Sequence, residues 1–109
     1  MKAWQKQKGQ LALVEVPEPS PRADELLLQV HAVSLNRGEV RGVARAPDGQ
    51  IPGWDVAGTV VAAATNGTGP ARGVGIAALV DTAGWAEQVA VPVVRAAVVP
   101  DGVGLDVAA

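Results

Sequence analysis

Apolar and polar residues alternate along the chain in short segments that glycine and proline interrupt. KAWQKQ at positions 2–7 alternates as a half-buried strand does, and LALVEV at 11–16 follows shortly after a glycine. The two segments therefore predict an opening β-hairpin. ELLLQVHAVSL at 25–35 is the longest strand candidate, since its apolar and partly β-branched character suits burial.

The rest of the chain continues the strand pattern with little helix. Strands are predicted in GWDVAGTVVAAA (53–64), VGIAALV (74–80), GWAEQVAV (84–91) and VVRAAVV (93–99). NRGEVRGVAR at 36–45 is polar and glycine-broken, which favours a short helix or a turn, and the tail at 100–109 predicts a loop that enters a helix. Many short strands with one or two short helices predict a mostly β fold, a partly open β-barrel.

Composition narrows the class of protein. A chain of 109 residues fits one domain, and an apolar content of 49% is too high for disorder. The chain has no Phe and no Tyr, so Val, Ala and Leu must build its core. The absence of cysteine excludes disulfides and thiolate metal sites and favours a cytoplasmic location.

Charge and hydropathy argue against two kinds of partner. The formal net charge is −2 and no basic cluster is present, which argues against a nucleic-acid surface. No apolar run reaches the ~18 residues of a membrane span, and MKAWQKQKGQ is not a signal peptide. We therefore expect a cytoplasmic domain without nucleic-acid or membrane partners.

Two candidate sites are weak when they are judged on their residues alone. His31 is the only histidine, so zinc would need carboxylates alone around it, and a structural or surface role is favoured. GVGIAA at 73–78 mimics half of a dinucleotide-binding fingerprint. That fingerprint requires a preceding strand and a following helix, whereas a Pro/Gly loop and a strand-like segment flank this one.

The charged residues around position 40 leave several possibilities open. Glu39 and Asp55 could form an acid–base pair, but solvated or structural roles are favoured. Arg37 and Arg41 could hold an anionic group or simply solvate a helical turn.

The order of several segments is more specific than any one of them. MKAW, EVPEPSPRADELLLQVHAVSLNRGEVR, IPGWDVAGTVV, GWAEQVAVP and PDGV occur in this order. Together they resemble the first part of the medium-chain dehydrogenases/reductases, and within that family the zinc-free quinone oxidoreductases and enone reductases. The resemblance extends over almost the whole chain and is lowest at 43–50 and 66–76.

The resemblance implies a domain organisation and an activity. Residues 1–109 would form the GroES-like catalytic domain of the alcohol dehydrogenase N-terminal type, and the Rossmann domain that binds NADP or NAD would be absent from this chain. The implied reaction is zinc-independent hydride transfer to a quinone or an α,β-unsaturated carbonyl. The chain alone would be inactive, and uncovered apolar surface would lead it to self-associate.

The resemblance also suggests roles for individual residues. Asn36 would be catalytic, with its amide near the nicotinamide and the substrate carbonyl. Trp54 stands where zinc-dependent relatives have a metal-binding histidine, and it would help to wall a dry substrate pocket. Glu39 and Arg41 would line the same pocket, although Glu39 replaces the family's usual Asp and Arg41 a frequent Tyr. Asp55 would orient the neighbouring residues and would not itself contact the substrate.

Two other classes of function remain open. A free-standing barrel that acts as a binding or assembly module without enzymatic activity is the main alternative. A co-chaperonin ring subunit is a weaker one, because GVARAPDGQ at 42–50 is a poor mobile apolar loop.

Overall fold

Seven strands and two helices form the fold of the computed structural model, which describes residues 1–109. In chain order they are β1 (Lys2–Gln7), β2 (Gln10–Glu15), β3 (Glu25–Val33), α1 (Arg37–Arg45), β4 (Asp55–Ala62), β5 (Gly75–Leu79), β6 (Gln88–Pro92), β7 (Ala96–Val98) and α2 (Leu105–Ala108).

The strands form two antiparallel sheets. β1 and β2 form the predicted hairpin, and the other five strands pair in the order β6-β3-β4-β5-β7. A bridge between Ala3 and Ala86 joins the hairpin to the segment that precedes β6. The five-stranded sheet curls and the hairpin flanks it, so the predicted mostly β fold, a partly open barrel with two short helices, is confirmed.

The core lies inside the curl of the five-stranded sheet. Its fully buried members alternate along each strand, as the period of two requires. They are Leu26 and Leu28 on β3, Val56 and Val60 on β4, Ile76 on β5, and Val89 and Val91 on β6, with Val80 beside them. The core is therefore built from aliphatic side chains, as the composition predicted.

The predicted strand at 93–99 is only partly correct. Val93–Arg95 forms a single 3₁₀ turn, and only Ala96–Val98 pairs, with β5. The Val93 amide donates to the Asp24 carbonyl at 3.1 Å, and Val94 lies almost fully in solvent. The apolar run thus predicted a longer strand than forms, because Val94 does not face the core.

Helix α2 packs against β3, β4 and β5.

Candidate functional site

The N-terminus of α1 is built around Asn36, which caps the helix. Its side-chain Oδ1 accepts a hydrogen bond from the main-chain amide of Glu39 at 3.0 Å, and its main-chain amide donates to Glu39 Oε2 at 3.1 Å. This reciprocal pair is a capping box, which satisfies two amides that the first turn of a helix leaves free. The Asn36 side chain is therefore fixed by the helix that it begins.

The same two residues connect α1 to the start of β4. Glu39 Oε1 accepts from the Trp54 amide at 2.7 Å, and Asn36 Nδ2 donates to Asp55 Oδ2 at 3.2 Å. Since Asn36 Oδ1 must face a donor at Glu39, the Asn36 nitrogen must face Asp55. One N–H of the Asn36 amide group is thereby engaged, and the second has no protein partner.

Trp54 packs against the first turn of α1. A Cβ placed on Gly38 would lie 3.0 Å from Cη2 of the indole, so the ring rests directly on a residue without a side chain. Gly53 precedes Trp54 with φ of +100°, a conformation that glycine adopts readily, and a Cβ there would meet the Trp85 ring. The Trp54 carbonyl accepts from the Val80 amide at 2.8 Å. The backbone and ring of Trp54 are thus held from several sides.

Trp54 also lines an open cavity of about 570 Å³. Its other walls are Leu79, Val80, Asp81 and Arg95, and the last two form an ion pair on the surface. Of the pocket residues predicted from the sequence, only Trp54 contacts this space. The additional residues come from the end of β5, the two residues after it and the 3₁₀ turn, and no signal in the sequence associates them with Trp54.

Glu39 does not line that cavity. Its side chain is buried, with 2% of the residue exposed, and main-chain amides engage both carboxylate oxygens. In this structure Glu39 therefore lies in a supporting position behind Asn36 and Trp54, away from the 570 Å³ cavity. The spacing Asn36-x-x-Glu39 is itself the signature of a capping box, so this role could have been predicted from the sequence.

Arg41 and Asp55 lie on different sides of α1. Arg41 is exposed and lies about 200° around the helix from the buried Glu39, with no carboxylate within 4 Å. Asp55 is half-buried at the start of β4 and accepts a hydrogen bond from Asn36 Nδ2. Glu39 and Asp55 both engage the Asn36–Trp54 pair, but no hydrogen bond joins the two carboxylates directly.

The two features that the sequence disfavours as sites lie on β3 and at the start of β5. His31 is exposed on β3 at an irregularity in its pairing with β4. GVGIAA at 73–78 runs from a turn into β5 and begins no helix, so it lacks the geometry of a dinucleotide cradle. No group of three or more His, Cys, Asp or Glu side chains is placed to hold a metal.

A second and larger concavity lies between the hairpin and α1. It has a volume of about 720 Å³, and its walls are mostly apolar. Four of its large apolar side chains are substantially exposed: Trp4, Leu13, Leu35 and Val40. We call this feature the hairpin groove.

Neither of the two helices has the length and apolar character of a membrane span.

The chain is similar to quinone oxidoreductases in both sequence and structure. The quinone oxidoreductase of Thermus thermophilus, solved alone and with NADPH, is 35% identical and superimposes with a TM-score of 0.79 over 96% of this chain and 34% of its own. The resemblance to quinone oxidoreductases is confirmed. The quinone oxidoreductase of Coxiella burnetii superimposes at a TM-score of 0.91 over 99% of this chain and 39% of its own, at 21% identity, which supports the fold alone.

A curated relative shows the same likeness over a shorter stretch. A chloroplastic quinone-oxidoreductase homolog of spinach is 44% identical over an alignment 57 residues long, which covers 46% of this chain and 17% of the relative. No family model matches the chain. The chain therefore spans about a third of the length of these solved structures and a smaller share of the spinach protein.

Proposed function

We propose that this chain is the catalytic-domain portion of a zinc-independent, NAD(P)H-dependent oxidoreductase that reduces a quinone or an α,β-unsaturated carbonyl. The observation that carries the proposal is the Asn36 amide, fixed by the capping box and by Asp55 beside Trp54. The 35% identity to a quinone oxidoreductase solved with NADPH supports the same function.

The Asn36 amide has the properties that such a reaction needs. It is uncharged, its orientation is set by two hydrogen bonds, and one N–H has no protein partner. A fixed donor of this kind stabilises an oxygen that gains negative charge in the transition state, at little reorganisation cost. We therefore assign Asn36 to donate this hydrogen bond to the substrate oxygen, with Asp55 holding the amide in place.

Trp54 and Arg41 complete the proposed site. The Trp54 indole forms an apolar wall of the 570 Å³ cavity and limits the access of water to the substrate. Arg41 provides an exposed cation on the second turn of α1, outside the cavity, where it would meet a ligand as it enters. Glu39 supports both Asn36 and Trp54 without contacting the substrate.

The residues present fit one end of NAD(P)H only. The free N–H of Asn36 suits the nicotinamide side, whereas GVGIAA forms a turn and a strand that cannot cradle a pyrophosphate. When bound, the nicotinamide supplies the hydride. The chain by itself would therefore be inactive, and a nucleotide-binding domain must complete the site.

Zinc does not fit the donor set at this position. Trp54 offers no metal ligand, the chain has no cysteine, and its single histidine lies on the exposed side of β3. The carboxylates nearest to Trp54 already accept hydrogen bonds from amide groups of Asn36 and Trp54.

A cytoplasmic location remains a prediction from the cysteine-free composition.

A chimera tests the proposed function. The matching third of the Thermus thermophilus quinone oxidoreductase is replaced by residues 1–109, and NADPH oxidation is followed with a quinone. Asn36→Ala should reduce kcat by about 10²–10³-fold, the usual loss for a preorganised donor to a developing oxyanion. The matched control is His31→Gln, an exposed strand residue.

The chimera has outcomes that decide against the proposal. If His31→Gln abolishes turnover while Asn36→Ala stays within about twofold of the parent, the role of Asn36 is wrong. If a folded chimera binds NADPH but reduces neither a quinone nor an enone, the proposed reaction is wrong.

One observation favours a binding or assembly module as the second candidate. The hairpin groove exposes four large apolar side chains within one concavity, and contiguous apolar surface of this kind often marks an interaction site. In that case the chain alone would form defined assemblies, and the chimera would show no turnover that depends on Asn36.

A further inference from the structure

Helix α1 is attached to the barrel in an unusual way. Surface helices are normally held by an apolar stripe that faces the core. Glu39 is the only buried residue of α1. Val40, the apolar residue of the first turn of the helix, is 59% exposed. Its nine residues also include two glycines, which weaken a helix. Apolar packing of α1 is thus limited to the half-buried Val43 and to the Trp54 indole, which rests on Gly38.

A buried lysine contacts the C-terminal turn of the helix. Lys6 on β1 is 5% exposed, and its Nζ donates to the Val43 carbonyl at 2.7 Å. No carboxylate lies within 4 Å of the ammonium. The positive charge instead faces the negative end of the helix dipole, where the last carbonyls lack helical partners.

The opposite end of the helix has the opposite charge. Glu39 is the third residue of α1, and its carboxylate accepts from the Asn36 and Trp54 amides without any cation within 4 Å. A carboxylate near a helix N-terminus is stabilised by the positive end of the dipole. Each end of α1 is thus joined to a different strand by a buried ion, β1 through Lys6 and β4 through Glu39.

Buried ions without counter-ions are costly, and apolar side chains of similar size would often stabilise a fold better. An ion that makes hydrogen bonds is more directional than an apolar contact, because a hydrogen bond fixes the angle and the distance between the groups that it joins. The arrangement at α1 therefore favours geometric precision over stability.

We infer that Lys6 and Glu39 are positioning residues that hold α1 at both ends and so set the direction of the Asn36 amide. The inference rests on the proposed function for what that amide does. The positioning itself is a property of this chain and can be measured without any turnover.

The test uses the 109-residue chain and two isosteric substitutions, Lys6→Met and Glu39→Gln. Their matched controls are Lys8→Met, which removes an exposed lysine, and Glu87→Gln, which removes an exposed carboxylate that accepts from the Lys2 amide. Amide hydrogen exchange and the side-chain NH₂ resonances of Asn36 are recorded by NMR spectroscopy for each variant.

We expect amides of α1 to exchange about tenfold faster in Lys6→Met and in Glu39→Gln, since each removes a charge-assisted hydrogen bond. The Asn36 NH₂ resonances should shift in both variants, while the β3–β4 amides and both controls stay unchanged. Unchanged exchange in α1 and unchanged Asn36 resonances in the two folded variants would overturn the inference.

Conservative variants keep the test decisive if either substitution prevents folding. Lys6→Arg retains a donor and should preserve the Asn36 resonances. Glu39→Asp is one methylene shorter and should release the Trp54 amide, which would then exchange faster. The opposite pattern, with Lys6→Arg perturbed and Glu39→Asp native-like, would contradict the positioning role.

The chimera separates this inference from the proposed function. There, Lys6→Met should reduce kcat more than it changes KM, because Lys6 contacts no substrate. If the parent chimera lacks turnover but the Asn36 resonances still respond in the 109-residue chain, the proposed function fails and the positioning role stands.

Discussion

A matched pair of substitutions on α1 tests the contact between Trp54 and the helix. Gly38 and Gly42 are both α1 residues with ordinary helical backbone, but their surroundings differ. A Cβ on Gly42 would meet no atom within 4 Å, whereas a Cβ on Gly38 would lie 3.0 Å and 3.2 Å from two indole carbons of Trp54. The same Cβ would lie 3.1 Å from Asn36 Oδ1, so the comparison reports on the contacts of Gly38 with both the indole and the helix cap.

The expected magnitudes follow from these distances. Gly42→Ala gains helix propensity and should stabilise the chain by about 0.5–1 kcal/mol. A domain of this size then gains roughly 2–4 °C in Tm. Gly38→Ala makes the same gain but must displace the indole by a few tenths of an ångström. Overpacking typically costs about 1–3 kcal/mol, so this variant should be neutral or destabilised.

Thermal unfolding followed by circular dichroism gives the two values of Tm, and the indole N–H resonance of Trp54 reports its environment. Only Gly38→Ala should shift that resonance. If both variants raise Tm equally and leave the Trp54 indole unchanged, then Trp54 does not rest on α1, and the proposed pocket wall has to be placed elsewhere.

Four further predictions concern the core, the metal, the cofactor and the association state. Leu28→Ala removes a fully buried side chain and should lower the free energy of unfolding by about 2–5 kcal/mol in urea titrations; a loss below about 1 kcal/mol would contradict its place in the core. Elemental analysis after dialysis should find no stoichiometric zinc, since about one zinc per chain would require ligands that the Trp54 region lacks. Calorimetry with NADPH should show no low-micromolar affinity, because GVGIAA enters a strand; tight binding would mean that this segment was wrongly dismissed. Light scattering should detect self-association that Leu13→Lys weakens, as expected if the hairpin groove is the contact, whereas a strict monomer at high concentration would contradict this surface.

Local pattern was sufficient for most of the architecture. Alternation in KAWQKQ, followed after a glycine by the apolar segment LALVEV, correctly predicted the hairpin, because a period of two sends successive side chains to opposite faces whatever the partner strand is. The same reasoning failed in VVRAAVV, where an apolar run alone cannot show that Val94 has no core to enter. Burial depends on neighbours that are distant in sequence.

The candidate site depends more strongly on such neighbours. Asn36 was selected from the sequence, and its spacing to Glu39 is the local signature of a capping box. Two further contacts depend on β1 and β4 lying beside α1. Glu39 binds the Trp54 amide, and Lys6 binds the other end of the same helix. Hydrogen bonds within one turn follow from the chain's own periodicity. Hydrogen bonds between residues 15 or 37 positions apart require the curled sheet to bring their strands together.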